Sequence, residues 1–168
     1  MATRGVIDPD ARLELIDGDI IKMSPIGWRH ALCVDKLTAL LLLALHTRAH
    51  IRIQNPIALS EHDEPQPDAA VLDPAIAQQR RQPLPDEVWL AIEVADSTLA
   101  RDKHIKLPLY ARAGIREVWI VDLDTNTIAQ YSDPFSGAYR TATTYSQNDT
   151  IVSATLPELQ LQVADILP

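Results

Sequence analysis

The run VWLAIEV, residues 88–94, constrains the fold of this chain more than any other segment. It is almost continuously apolar and rich in β-forming residues, which is typical of a central strand buried on both faces. A second run of this kind, Val118–Asp122, follows a segment in which Ser97 or Thr98 can cap a helix that stops at Gly114. Because such a sheet needs a helix on each face, we predict a mixed α/β protein.

The remaining segments supply the other layers around this sheet. Asp17-Gly18 lies between two β-prone runs and predicts a hairpin. Trp28–His46 has no Gly or Pro and predicts a long helix, whose Leu40–Leu43 block is typical of a helix buried on two sides. Pro108 lies inside the later helix, deletes one backbone hydrogen bond and is expected to kink it. Short extended segments are predicted at 13–17, 19–23, 51–59 (interrupted at position 56), 69–72, 127–132, 138–145 and 159–163.

Composition narrows the class of protein. The chain has 168 residues with no visible linker, which predicts a single domain over 1–168. Cys33 is the only cysteine, which excludes a disulfide framework and a CxxC zinc site. The net charge of −8 argues against a protein that coats nucleic acid or adheres to an anionic membrane.

The N-terminus lacks the apolar stretch of a secretory signal. The longest apolar run, Ala39–Leu45, is too short for a membrane span, so we expect a cytoplasmic protein.

Three ionisable side chains stand out because they lie in or beside predicted buried elements: Asp68, Glu93 and Lys106. A carboxylate at the end of a buried strand is costly unless it is paired or bound to a cation. Two carboxylates from neighbouring strands suit Mg²⁺, which takes one or two protein carboxylates and keeps several waters. Such an ion binds phosphate oxygen and lowers the pKa of a bound water. A nearby lysine can orient that water or stabilise developing negative charge.

Each of the three also has an ordinary structural explanation. Pro67-Asp68 is common turn chemistry, and Glu93 can pair with a surface base. Lys106 can form a helical ion pair with Asp102, four residues earlier. None of the three is specific alone, so the prediction depends on their combined spacing and strand context.

The segments around these residues resemble one known family. The resemblance covers residues 13–132 and is carried by ELIDGDIIKMSP, the histidine at position 30, QPDAAVLDP and WLAIEVADSTLARDKHIKLPLYARAGIREVWIVD. These runs are similar to those of the Uma-two family of endonucleases, which belongs to the PD-(D/E)XK restriction-endonuclease-like superfamily. The resemblance implies a central mixed sheet flanked by helices, with Mg²⁺ or Mn²⁺ at the bend of two strands.

The resemblance also implies roles for individual residues. Asp68 matches the PD aspartate and Glu93 the acidic residue of the second motif, so these two are the implied metal ligands. The motif places lysine two residues after the glutamate, where this chain has Ala95. In this family the lysine has moved to the next helix, and Lys106 matches that position. The side chain of this lysine must therefore reach back to the strand.

Three further residues match the family as accessory positions: Glu14, His30 and Asp102. Glu14 either completes the acidic cluster or faces solvent from the hairpin, and His30 is either functional or structural. Asp102 is expected to orient the lysine. The family usually has small and Ser-Pro residues where this chain has Ala95-Asp96, and the extra acid either repels phosphate or caps the helix.

Positive charge is concentrated after Glu93. Between Arg101 and Glu117 there are five bases and two acids, a local charge of +3 in an acidic chain. This segment is either a phosphate-facing surface, with Arg101 and Lys103 as the phosphate-contact candidates, or an ordinary solvated helix face. Aromatic residues are too few to support a base-stacking platform.

These observations predict a Mg²⁺- or Mn²⁺-dependent endonuclease that hydrolyses DNA phosphodiester bonds. Because one short chain has no second domain to grip a duplex, a homodimer is expected. The net charge of −8 motivates an alternative, a non-catalytic module with the nuclease fold that mediates protein–protein contact or self-association. A third possibility is a hydrolase for a small phosphorylated molecule.

Overall fold

The computed structural model describes residues 11–168 and contains ten strands and four α-helices within that range. In chain order they are β1 (Leu13–Ile16), β2 (Asp19–Lys22), α1 (Trp28–Leu45), β3 (His50–Ile53), β4 (Ala69–Leu72), β5 (Val88–Ala95), α2 (Leu99–Arg101), α3 (Leu107–Ala113), β6 (Glu117–Asp122), β7 (Thr127–Phe135), β8 (Ala138–Tyr145), β9 (Thr150–Val152), β10 (Gln160–Gln162) and α4 (Val163–Ile166). A π-helical segment, Asp102–Lys106, joins α2 to α3. Two short 3₁₀ turns, Pro74–Gln78 and Pro85–Glu87, lie between β4 and β5.

Strands β3 to β8 form one six-stranded sheet in sequence order. β5 and β6 are parallel, and the other neighbouring pairs are antiparallel. β5 and β6 are buried along almost their whole length, as their continuous apolar runs predict. Helix α1 packs on one face of the sheet, and the α2–α3 segment packs on the other. This arrangement confirms the predicted mixed α/β fold class.

Helix α1 ends one residue before the predicted position, at Leu45, because His46 adopts a positive φ of 47°. The expectation that this helix is buried on two sides is wrong. Leu37 and Leu41 face the core, whereas Leu42 is 50% exposed and Leu43 is 68% exposed. The Leu40–Leu43 block of α1 therefore packs on one side only. Separately, no helix in the described part of the chain is long and apolar enough to cross a membrane.

The predicted hairpin forms at the expected place. Asp17 and Gly18 both have positive φ, 50° and 84°, which is the conformation that a tight hairpin turn requires. The hairpin is a separate two-stranded sheet. Its turn is fixed to the loop before β4, because the Asp17 amide donates to Asp63 Oδ1 at 2.7 Å and Leu15 bridges to Glu64. These contacts bring β1 beside the start of β4.

The helix that contains Pro108 is widened in the turn that precedes α3. There, Asp102–Lys106 form a π-helical turn in which the Leu107 amide donates to the Asp102 carbonyl. Pro108 lies in the first turn of α3, where its missing N–H costs little. The helix ends at Gly114, with φ of 80°, as the sequence predicts. The π turn places Asp102 and Lys106 on the buried side of this helix.

Other extended segments are shorter or longer than predicted. The segment expected over 51–59 is a strand only as far as Ile53, because Gln54 has φ of 51° and turns the chain. β7 extends three residues beyond the predicted end, to Phe135. The C-terminal strand β10 pairs with β9 in a separate small sheet.

Candidate functional site

One open cleft collects seven of the eight residues that the sequence singles out. They are Glu14, His30, Asp68, Glu93, Arg101, Asp102 and Lys106. They come from β1, α1, the start of β4, the end of β5 and the helix that follows β5. The eighth, Lys103, is half-buried on the same helix and is not among the residues lining the cleft.

The strand register brings the two candidate metal ligands together. β4 and β5 are antiparallel neighbours in which Ala69 pairs with Ile92. Asp68, one residue before Ala69, therefore lies across from Glu93. A hydrogen bond also links Asp68 to the backbone of β5, because the Val94 amide donates to Asp68 Oδ2 at 2.8 Å. Both carboxyl groups are almost fully buried.

Lys106 joins two carboxylates in the cleft. Its Nζ lies 2.7 Å from Glu14 Oε1 and 2.9 Å from Glu93 Oε1, and the side chain is 4% exposed. Burial alone lowers the pKa of Lys106, but the carboxylates around it, Glu93 first, raise that pKa above its ordinary value. The residue is therefore a fixed positive charge in the interior. The helical ion pair with Asp102 that we considered does not form.

Glu93 is held by a second donor that the sequence did not point to. The Tyr110 hydroxyl, buried on α3, donates to Glu93 Oε1 at 2.5 Å. Burial raises the pKa of Glu93 above its ordinary value, against the opposing attraction of Lys106. The neighbouring groups therefore do not fully stabilise the ionised form of Glu93. An added cation would stabilise that form further.

Asp68 is held in its ionised form by its neighbours. His30 Nε2 lies 3.0 Å from Asp68 Oδ1, and Gln54 Nε2 donates to the same oxygen at 3.3 Å. Burial alone would raise the pKa of Asp68. The hydrogen bonds from His30 and the Val94 amide outweigh it and lower the pKa. His30 thus lies where it positions the aspartate.

Glu14 is anchored on three sides. Arg101 Nη2 donates to Oε2 at 2.9 Å, the Gln66 amide donates to Oε1 at 2.9 Å, and Lys106 lies at 2.7 Å. The side chain is therefore part of the cleft and does not face solvent. The positive charge of Arg101 is paired with this glutamate.

Asp102 and Asp96 have partners outside the Lys106 cluster. Asp102 Oδ2 accepts from the Thr98 hydroxyl at 2.7 Å, so Thr98 bonds this carboxylate and does not cap the helix through its side chain. Asp96, the extra acid of this chain, lies 3.0 Å from Arg29 Nη1. Its charge is thus matched by a base from α1.

Sequence reasoning missed Tyr110, Gln54 and Arg12 in or beside the cleft. Arg12 lines it, and within residues 11–168 one of its guanidinium nitrogens is buried without a hydrogen-bond partner. Nδ1 of His30 is in the same state. An arginine next to an acidic hairpin residue carries little signal in a sequence, because its position depends on how the hairpin docks.

Comparisons with known proteins agree with this architecture. The Uma2 family model, described as "Putative restriction endonuclease", matches residues 3–164. A crystal structure titled as a "putative nuclease belonging to DUF820" from Anabaena variabilis ATCC 29413 superposes with a TM-score of 0.74. It is 17% identical and covers 92% of this chain and 88% of that one, so it shows a shared fold. No curated protein matches the sequence. Because the family model spans nearly the whole sequence, the chain belongs to the Uma2 family.

Proposed function

We propose that this protein is a divalent-metal-dependent endonuclease that hydrolyses DNA phosphodiester bonds in the cleft described above. The observation that carries the proposal is the meeting of Asp68, Glu93 and Lys106 in one cleft, with Lys106 Nζ 2.9 Å from Glu93. Membership of a restriction-endonuclease family supports the reaction class. We further propose that the whole chain acts as one nuclease domain.

The residues at the cleft fit a hard divalent cation. No group of three or more His, Cys, Asp or Glu side chains within residues 11–168 forms a complete metal cage. Mg²⁺ needs only one or two protein carboxylates, and the remaining positions are filled by water. Asp68 and Glu93 supply those carboxylates, and the elevated pKa of Glu93 indicates a carboxyl group that a cation would stabilise in its ionised form. When bound, Mg²⁺ or Mn²⁺ lowers the pKa of a water ligand and neutralises charge on the phosphate.

The chain's own groups position the reacting phosphate. Lys106 is a buried, permanently charged donor beside Glu93, placed to stabilise negative charge on a phosphoryl oxygen. Arg101 lines the cleft, and its guanidinium has donors beyond the one bonded to Glu14. His30 and Tyr110 are positioning residues, because each holds one carboxylate in place. Glu14 and Asp102 are accessory acids that keep Lys106 charged.

We also propose that the enzyme acts as a homodimer. Each chain contributes one such cleft, so two copies are needed to cut both strands of a duplex. Helix α1 exposes Trp28, Leu32, Leu42 and Leu43, which lie on one side at about 100° per residue. A second copy docked on this face buries these side chains.

Sedimentation at micromolar concentration tests the dimer. The expected mass is twice that of the chain for the wild type and that of one chain for Leu43→Glu, which places a charge in the apolar face. A monomeric wild type contradicts the dimer and leaves the cleft proposal to its own assay.

The activity is tested with supercoiled plasmid and linear DNA in Mg²⁺, Mn²⁺ or EDTA. We expect cleavage only with metal, and a loss of at least about 100-fold in Asp68→Ala and Glu93→Ala, since even outer-shell substitutions at metal sites typically cost 10–100-fold. Glu158→Ala, an exposed acid bridged to Arg48, is the matched control and should cut like the wild type. Absence of metal-dependent cutting, or full activity in both cleft variants, overturns the proposal.

The ion pairs of Lys106 favour one competing function. Lys106 already occupies Glu93 Oε1 and Glu14 Oε1, so the cleft is partly neutralised by the protein itself. This suits a non-catalytic nuclease-fold module that mediates protein contact or self-association. The plasmid assay separates the two, because such a module leaves DNA intact in both metals.

A further inference from the structure

The positive charges that follow Glu93 in the sequence are largely paired in the structure. Arg101 bonds Glu14, Lys106 bonds both carboxylates in the cleft, and Arg112 Nη2 lies 3.3 Å from Asp17. This segment therefore does not present the free +3 charge that its composition indicates. Further contacts to the phosphates beside the cleft would therefore come from cations elsewhere on the described part of the protein.

A second basic surface lies along the outer edge of the sheet. An open groove follows strand β3 and the segment after the first 3₁₀ turn; we call it the edge groove. Its lining comprises His50, Ile51, Arg52, Ile53, Asn55, Gln79, Arg80, Arg81 and Gln82. Three of these residues are arginines and three are carboxamides, and none of the described residues that line it is acidic. In a chain of net charge −8 this is a concentration of cationic and neutral donors.

Two of the three arginines carry uncompensated charge. Arg52 Nη1 donates to the neutral Gln82 Oε1 at 2.8 Å, which fixes the guanidinium and leaves its charge free. Arg80 is exposed and takes part in no ion pair within residues 11–168. Arg81 is bound through two nitrogens to Glu87, at 2.7 and 2.8 Å. The groove thus offers one cation held by Gln82 and one exposed cation without an ion pair among the described residues, which is the charge that a phosphodiester chain requires.

The edge groove adjoins the cleft through Gln54. This residue directly follows β3, and its amide donates to the Asp68 carbonyl at 3.1 Å. Its side chain donates to Asp68 Oδ1 at 3.3 Å. Arg52 is two strand residues away, about 7 Å at the rise of a β-strand.

We propose that the edge groove binds the sugar–phosphate backbone of the DNA strand next to the bond that is cut, with Arg52 and Arg80 as phosphate ligands. The inference rests on the proposed function and extends it to the path of the substrate. The carboxamides of Asn55 and Gln82 add neutral donors to sugar and phosphate oxygens. None of the described lining residues is Phe, Tyr or Trp, and His50 carries the one ring among them, so the lining favours contact to the backbone over base stacking.

The test is a charge-neutralising double variant, Arg52→Gln with Arg80→Gln. Affinity for a fluorescein-labelled single strand is measured by anisotropy in EDTA, where binding is separated from cutting. Two lost phosphate contacts should make the slope of log K against log salt shallower by about 1.4, at about 0.7 per contact on single strands. Affinity at low salt should fall at least about tenfold.

The matched control is Arg116→Gln with Arg140→Gln. Arg116 directly precedes β6 and Arg140 lies on β8, neither lines the cleft or the edge groove, and the variant loses the same formal charge. It should retain the wild-type slope. Arg80→Gln alone, which breaks no described bond, serves if the double variant does not fold, with a slope change of about 0.7. An unchanged slope in the groove variants, an equal change in the control, or no DNA binding by the wild type overturns the proposal.

Cutting assays keep this inference separate from the nuclease proposal. A wild type that binds DNA through the groove but never cuts it supports the groove and refutes the nuclease. A wild type that cuts with metal, while the groove variants bind and cut equally well, supports the nuclease and refutes the groove.

Discussion

The Lys106 ammonium, carried on the helix after β5, lies 2.9 Å from the Glu93 carboxylate on β5 itself. The family resemblance implies a motif with lysine two residues after the glutamate, a position that Ala95 holds here. The π-helical turn, from which Lys106 projects, turns the side chain inward. A residue of the helix, and not of the strand, thus places a positive charge beside this carboxylate.

Replacing Lys106 by methionine should destabilise the protein strongly. The substitution leaves Glu14 and Glu93 buried without their shared cation, and breaking a buried ion pair costs about 3–5 kcal/mol. Urea unfolding at pH 7 measures the free energy of unfolding. Lys103→Met, on the same helix but outside the cleft, should change it by less than about 0.5 kcal/mol. Equal stability of the two variants would show that Lys106 is not structurally coupled to the carboxylates.

Glu117 should be the most sensitive acid outside the cleft. Its fully buried carboxylate accepts hydrogen bonds from five donors: Trp119 Nε1, Gln130 Nε2, the Ser153 hydroxyl and the amides of Ala154 and Thr155. Glu117→Gln turns one acceptor oxygen into a donor that faces these groups. Each buried donor left without an acceptor costs about 1–3 kcal/mol. Unfolding followed by tryptophan fluorescence should show a loss of at least about 2 kcal/mol.

The control for that substitution is Glu158→Gln, because Glu158 forms only a long surface bridge to Arg48, at 3.8 Å. It should be nearly neutral, since exposed pairs contribute about 0–1 kcal/mol. If Glu117→Gln is as mild as the control, the C-terminal segment does not depend on this carboxylate.

The ion pair between Arg81 and Glu87 should stabilise the fold at neutral pH, and this stabilisation should disappear in acid. The Arg81 hydrogen bonds lower the pKa of Glu87 to about 2 from an ordinary value of 4.5. A carboxyl with a lowered pKa stabilises the fold above pH 4.5, and that contribution is lost as the pH falls towards 2. Glu87→Gln should therefore be less stable than wild type at pH 7, by under about 1 kcal/mol because the pair is solvent-screened.

Urea unfolding at pH 7, 5 and 3 checks the sign of this effect. The gap between wild type and Glu87→Gln should be largest at pH 7 and narrowest at pH 3. A gap that stays constant or widens in acid would mean that the ion pair does not lower the pKa of Glu87. The result also bears on the edge groove, because this pair fixes Arg81 at its rim.

Local patterns predicted the framework because they report burial and turn geometry. The apolar runs of β5 and β6, the helix at Trp28 and the Asp17-Gly18 turn all form where they were expected. The residues themselves singled out Asp68, Glu93 and Lys106, and the family resemblance contributed their implied roles as metal ligands and displaced lysine. The two-sided burial of α1 was wrong because an apolar helix face does not reveal whether anything packs on it.

The remaining features depend on contacts between distant segments. Tyr110 carries no signal in the sequence, because only the packing of α3 under β5 brings its hydroxyl to Glu93. The bases of residues 101–117 appeared unpaired in the sequence because their partners, Glu14 and Asp17, lie on the distant N-terminal hairpin. The edge groove combines two segments that carry no motif.

The position of a bound ion is the most direct test of a metal-dependent cleft. Crystals soaked in Mn²⁺ should show one anomalous peak within about 2.1 Å of a carboxylate oxygen of Asp68 and of Glu93, the spacing typical of a small divalent cation. Glu93→Gln crystals treated in the same way should lose that peak. A peak bound elsewhere, or an empty cleft at saturating Mn²⁺, would contradict the assignment of these two carboxylates as the metal ligands.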